Sequence, residues 1–182
     1  QEHADVLPEQ LDDLARFMGV SGEQLQGVLL LAESQLVAAL ARLGDLGVIP
    51  VVVIDDPSRA AALCSALLLG GLPCAEATLR TDTALESLRA LAEDPELLVG
   101  AGTVLRPAQV EAALRAGARY IVSPGFSASV VSECQRSGVP VLPGVATATE
   151  IQVALEAGLE AVKFFPAEAS GGLAALKALA AA

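Results

Sequence analysis

From Val48 onward the chain repeats one unit: a short β-rich run, a turn, then a segment with helical periodicity. The runs are Val48–Ile54, Cys74–Leu79, Leu97–Gly100, Tyr120–Ser123, Val139–Leu142 and Ala161–Phe164. Helices are expected from near Pro57, Thr83, Pro107, Ser127 and Thr147, and a last one from near Gly172. Pro57 and Pro107 suit a first helical position, where a missing N–H costs nothing. Gly117, Gly138 and Gly158 each follow a helical segment, where a left-handed cap is wanted. One strand per helix with short links implies a parallel sheet, because parallel neighbours need a crossover. Such a sheet either stays open and doubly wound or closes into a (β/α)8 barrel. No Gly-x-Gly-x-x-Gly stands at the first turn, which reads Asp55-Asp56-Pro57-Ser58. Polar or special residues instead mark the C-terminal end of strand after strand: Glu76 to Arg80, Thr103, Ser123-Pro124-Gly125, Pro143-Gly144 and Lys163. That distribution belongs to a barrel with its site on the top face. The expected class is α/β, a TIM-type (β/α)8 barrel represented by about six units over residues 47–182.

Residues 1–46 read differently. Leu7-Pro8-Glu9-Gln10 opens a short helical pattern through Met18, and Ser21-Gly22-Glu23-Gln24 caps a second helix. That helix is expected from about Glu23 to Leu43, stopping near Gly44, with Leu25, Val28, Leu29, Leu36, Ala39 and Leu40 on one stripe. The segment is read as a helical extension that covers one end of the domain; an oligomerisation arm is the alternative.

Composition narrows the function. Formal net charge is −11 over 182 residues, which argues against nucleic acid or an anionic membrane as partner. An anionic substrate would need a locally cationic pocket. No apolar run approaches the ~18 residues of a membrane helix. No charged-then-apolar leader opens the chain, so a cytoplasmic location is expected. Cys64, Cys74 and Cys134 are far apart and His3 is the one histidine, which leaves no Cys/His zinc spacing and suits free thiols in a reducing compartment.

The chemistry-bearing stretch is Ala161-Val162-Lys163-Phe164-Phe165-Pro166-Ala167-Glu168. The chain holds two lysines, Lys163 and Lys177, and one stands inside an apolar β-prone run. A lysine that loses hydration is pushed toward the neutral amine, a nucleophile for carbonyls. A lysine at a strand end can equally snorkel to water or pair with a carboxylate. In the second strand, alternation puts Glu76, Thr78 and Arg80 on one face and Ala75, Ala77 and Leu79 on the other. The polar set is expected to point into the barrel, where a carboxylate and a guanidinium must pair or bind something; an internal Glu76–Arg80 pair that only fixes register is one outcome. Gly100 and Gly102 let the backbone approach a ligand closely, and Thr103 offers a hydroxyl. Lys163 and Phe165 share a face, so the ring walls the amine. These parts suit a Schiff base between a lysine and a 2-keto acid, with an arginine on the acid's carboxylate and a glutamate moving protons. The iminium is the electron sink, so neither metal nor cofactor is required.

In order, Glu76-Ala77-Thr78-Leu79-Arg80-Thr81, Val99-Gly100-Ala101-Gly102-Thr103-Val104, Ser123-Pro124-Gly125, Leu142-Pro143-Gly144-Val145 and Lys163-Phe164-Phe165-Pro166-Ala167-Glu168 make residues 35–182 resemble the 2-keto-3-deoxy-6-phosphogluconate (KDPG/KHG) aldolases, class I lyases. The resemblance implies Lys163 as the Schiff-base lysine and Glu76 as the general acid/base. It implies Arg80 and Thr103 as carboxylate binders, Pro124 as a backbone contact and Phe165 as a packing wall. It further implies a trimer of (β/α)8 barrels that splits a phosphorylated sugar acid, or 4-hydroxy-2-oxoglutarate, into pyruvate and an aldehyde. The family continues with a seventh and an eighth strand whose loops bind the phosphate, whereas these residues stop in or just after the sixth helix. Exposed edges on the first and sixth strands are therefore expected, to be covered by a further tail, the N-terminal helices or another chain. Weak affinity for the phosphorylated substrate is expected if no tail exists. Ser170-Gly171-Gly172 at a helix start is read as a turn, with anion binding the alternative. Two rivals share the sequence: a non-catalytic scaffold derived from an aldolase, and a phosphosugar isomerase or epimerase on the same barrel.

Overall fold

The computed structural model describes residues 38–181. The helical pattern through Met18, the Ser21 cap and the helix start at Glu23 lie outside the described residues. A helix, α1, occupies residues 38–46 and ends at Gly47, whose φ is 69°. It therefore runs past Gly44, where the sequence suggested a stop; the left-handed cap sits at Gly47, whose N–H bonds back to the Leu43 and Gly44 carbonyls.

Then follow β1 Val51–Val52, α2 Ala60–Leu69 behind a 3-10 turn at Pro57–Arg59, β2 Cys74–Thr78, α3 Ala84–Leu91, β3 Leu98–Gly102, α4 Pro107–Arg115, β4 Ile121–Ser123, α5 Ala128–Arg136, β5 Val141–Val145, α6 Ala148–Glu156, β6 Lys163–Phe164 and α7 Gly172–Ala180. All six strands are parallel and pair in chain order. A doubly wound sheet would reverse its order part-way; this one does not. Flat, β2 and β6 would lie four strand spacings apart, about 19 Å. Glu76 on β2 nevertheless reaches Lys163 on β6 at 3.4 Å, so the sheet curls into an open barrel. The described residues give no pairing between β1 and β6.

At the start of α6, side chains satisfy the first-turn N–H groups. Thr147 Oγ1 accepts from the Glu150 N–H while Glu150 Oε2 accepts from the Ala146 and Thr147 N–H groups. Those bonds hold the Glu150 carboxyl below the usual carboxylate range. Gly117, Gly138 and Gly158 have φ of 98°, 63° and 75°, as their place after each helix requires.

Strand residues divide by face. Ala77, Val99, Ala101, Ile121 and Val141 join Leu88, Leu91, Val110 and Val130 in the layer between sheet and helices. Cys74, Leu98, Tyr120 and Val122 point inward and meet Ala39 and Leu43 of α1. Residues 39–46, which the sequence grouped with the extension, thus pack with the barrel.

All six strands differ from the expected limits, β2 and β4 by one residue and the others by more; β6, expected over Ala161–Phe164, is Lys163–Phe164. Only Val51–Val52 of the Val48–Ile54 run is strand. It pairs on one side, with β2, and hydroxyls of Thr78, Thr81 and Ser87 bond to the Val52 and Ile54 carbonyls where a ladder would otherwise be. β3 continues through Gly102, and β5 runs through Pro143 and Gly144. At Pro143, which lacks an N–H, the ladder changes side: pairs to β4 end there and pairs to β6 begin at Gly144. No helix among the described residues is long and apolar enough to cross a membrane.

Candidate active site

The site lies at the C-terminal ends of the strands. Glu76 sits mid-way along β2, whose five residues are all buried; it is 5% exposed. Gly102, on the neighbouring strand, is what lets the carboxylate fit: a Cβ there would overlap Glu76 Oε1. The sequence suggested that Gly100 and Gly102 admit a ligand to the backbone. The structure fills both gaps from within, Gly102 with Glu76 and Gly100 with the ring of Tyr120.

Lys163 opens β6. Its Nζ donates toward Glu76 Oε1 at 3.5 Å and Oε2 at 3.4 Å, and stands 5.0 Å from the centroid of the Phe165 ring. The shared face of Lys163 and Phe165 holds, and the ring wall is present. The internal Glu76–Arg80 pair, one of the outcomes left open by the sequence, does not form; the partner of Glu76 is Lys163. Nor is Lys163 fully dry: its side chain is 29% exposed, against 6% for Glu76. The reason is position, since β6 pairs only with β5 among the described strands. Of the two readings of this lysine, the pairing one describes the contact seen, and a carboxylate at that range is also placed to take up or return its proton.

Arg80 lies past the end of β2, exposed, and its Nε donates to Thr103 Oγ1 at 3.2 Å. Thr103 has a φ of 60°, a left-handed conformation that a β-branched residue adopts at a cost. Its strain places the hydroxyl beside the guanidinium. Pro124 is half-buried at the end of β4, and its carbonyl fills the space that a side chain on Gly144 would take. Ser123 Oγ donates to the Gly125 carbonyl at 2.8 Å and closes the same turn. Against the net charge of −11, Lys163 and Arg80 put positive charge at this rim.

Ser170-Gly171-Gly172 is a turn: Gly171 and Gly172 have φ of 101° and 60°, and the Gly172 N–H bonds to the Ala167 carbonyl at 2.8 Å. Tyr120, beneath the site, carries a buried hydroxyl that the sequence gave no means of finding, because its place depends on the gap at Gly100.

A family model for KDPG and KHG aldolase matches residues 40–182. The chain belongs to the KDPG and KHG aldolase family. A 2-dehydro-3-deoxy-phosphogluconate aldolase of Treponema pallidum is 49% identical over 134 residues, 73% of this chain and 64% of that protein. A KHG/KDPG aldolase of Escherichia coli K12 is 41% identical over 134 residues, 73% of this chain and 63% of that protein. The chain thus spans under two thirds of the length of these curated relatives. Among solved structures, the KDPG aldolase of Legionella pneumophila, with pyruvate captured as a covalent carbinolamine intermediate, aligns with a TM-score of 0.71 at 42% identity, covering 73% of this chain and 65% of that one. The family agrees with the open, chain-ordered parallel sheet and with the motif residues meeting at its rim.

Proposed function

We propose that this protein is a class I aldolase that cleaves 2-keto-3-deoxy-6-phosphogluconate, 4-hydroxy-2-oxoglutarate, or both, to pyruvate and an aldehyde. One observation carries the reading: Lys163 Nζ and the Glu76 carboxylate meet at 3.4 Å from strands that are not neighbours. A curl that brings the chain's one strand-borne lysine onto a buried glutamate assembles a nucleophile and its proton carrier.

The steps follow from those two groups. The amine sheds a proton to Glu76 and adds to the keto carbon; Glu76 returns that proton to the carbinolamine hydroxyl, which leaves as water, so that a protonated imine and a free carboxylate remain. The imine draws electrons from the neighbouring C–C bond. As that bond breaks, Glu76, directly or through a water, takes the proton of the hydroxyl on the departing carbon, and the aldehyde leaves. The electron pair stays behind as an enamine, which regains a proton at carbon. Water then hydrolyses the imine, releasing pyruvate and restoring the amine. Arg80, oriented by Thr103, holds the keto acid's carboxylate through charge-assisted hydrogen bonds. Pro124 supplies a backbone contact and Phe165 a flat wall beside the imine. The protein acts as a homotrimer in the cytoplasm; the trimer rests on the family resemblance, and the three free buried cysteines support a reducing compartment. Light scattering on the purified chain tests the trimer.

The activity is tested by pyruvate release from each keto acid. The wild-type chain should release pyruvate from at least one, and Lys163→Ala from neither. Release no faster than that of Lys163→Ala with both substrates would contradict the reading.

A further inference from the structure

Tyr120 is the chain's one tyrosine, and the chain has no tryptophan. Its side chain is fully buried, and its hydroxyl has no hydrogen-bond partner among the described residues. Buried phenol oxygens nearly always find a partner, because an unpaired polar group in the interior is costly. The ring also sits in a specific place. Its Cε2, Cδ2 and Cζ occupy the space that a Cβ on Gly100 would fill. Gly100 is the Cα partner of Glu76 on the neighbouring strand, and neighbouring strands run about 4.8 Å apart. The ring carbon bearing the hydroxyl therefore lies about one strand spacing from the Glu76 backbone, on the interior face. Glu76 leans past it toward Gly102 to meet Lys163. The hydroxyl is left on the interior face beside the Glu76 strand, without a partner among the described residues.

The geometry points to Tyr120 as a positioning residue, whose hydroxyl donates through one buried water to the Glu76 carboxylate and holds it toward Lys163. Around the phenol, α1 contributes Ala39 and Leu43, β3 Leu98 and β4 Val122, all apolar. Among the described residues the titratable groups that face it are Cys74 and Glu76, with Lys163 beyond the carboxylate and Arg42 of α1 near Cys74; Cys74 Sγ is engaged with the Val48 carbonyl at 3.3 Å. Burial, followed by the charges of Cys74 and Glu76, pushes the phenol far above the usual tyrosine range. It therefore keeps its proton and serves as a donor.

The catalytic consequence rests on the aldolase reading; the geometry does not, and the test separates them. Tyr120→Phe keeps the ring and removes only the hydroxyl. It should still form a reducible adduct with pyruvate, with KM for the keto acid unchanged and kcat lowered roughly tenfold, the scale of one hydrogen bond to a charged group. The acidic limb of its kcat–pH profile should move to higher pH, because a donor lost from the carboxylate no longer favours the charged form. A profile that superimposes on that of the wild type overturns the proposal while leaving the aldolase reading intact. A second readout needs no activity. The near-ultraviolet band of the single tyrosine should shift to shorter wavelength in Glu76→Gln; an unmoved band overturns the proposal, even in a protein that traps no pyruvate.

Discussion

Strands β2 and β3 are buried along their whole lengths, while β6 is two residues long and half-buried, and α7 beyond it buries none of its nine residues. The proposed reaction takes one group from each region. Glu76 is fixed by its strand, by the gap at Gly102 and by the core behind Ala77. Lys163 is held by a short pairing to β5 and by its own contacts with Glu76 and Phe165. The proposed base is thus part of the rigid wall, and the proposed nucleophile stands on the less packed side of the barrel, where a keto acid can reach it. Changes on the β2–β3 side should cost both stability and chemistry; changes on α7 should cost little of either.

Removing the charge of the base while keeping its shape strikes hardest. Glu76→Gln should lower kcat by about a hundred- to ten-thousand-fold, the usual worth of a positioned general acid–base group, while steady-state rates show KM for the keto acid little changed. Loss of less than about threefold would remove Glu76 from the mechanism. Next comes the contrast in packing. Leu88, fully buried on α3, should cost about 2–5 kcal/mol on truncation to alanine. Leu176 on α7, 41% exposed, should cost within about 0.5 kcal/mol. Urea denaturation of both variants measures the difference, and equal losses would erase the distinction between the two regions. Gly102→Ala should destabilise by about 1–3 kcal/mol through overpacking and, by displacing Glu76, reduce kcat as well. Stability lost without any change in kcat would mean that the gap serves only the fold.

The smallest effect is a pH one, at the helix start after β5. Glu150 carries a carboxyl held down by backbone and hydroxyl donors. A lowered folded-state value means that its contribution is present above the ordinary glutamate range, near pH 4.3, and is lost as pH falls through the folded value. Glu150→Gln should therefore flatten the acid side of the stability–pH curve and leave the neutral side nearly unchanged, since glutamine can still accept from the Ala146 and Thr147 N–H groups. An unchanged acid slope in denaturation series across pH would contradict that assignment.

The fold was largely legible because its signals are local. Thr147 and Pro107 at helix starts and Gly117, Gly138 and Gly158 after helices each state a boundary in residues close in sequence. The face assignment of β2 was legible from alternation alone. What escaped depends on the curl of the sheet. Local pattern alone could not bring Glu76 to Lys163, which needs β2 against β6, 87 positions apart; the family resemblance is what put both in one site. That Gly100 and Gly102 house protein side chains rather than a ligand depends on how β2, β3 and β4 stack. The limits of β1 were not legible because hydroxyls of Thr78, Thr81 and Ser87, from β2, the turn after it and α3, bind the Val52 and Ile54 carbonyls.

The central claim is that the Lys163 amine forms a covalent imine with a keto acid beside Glu76. Borohydride reduction in the presence of pyruvate, followed by peptide mass mapping, tests it most directly. The account predicts one reduced pyruvate adduct on the peptide carrying residue 163, absent from Lys163→Ala and from samples without pyruvate. No adduct, or an adduct at Lys177 alone, would contradict it.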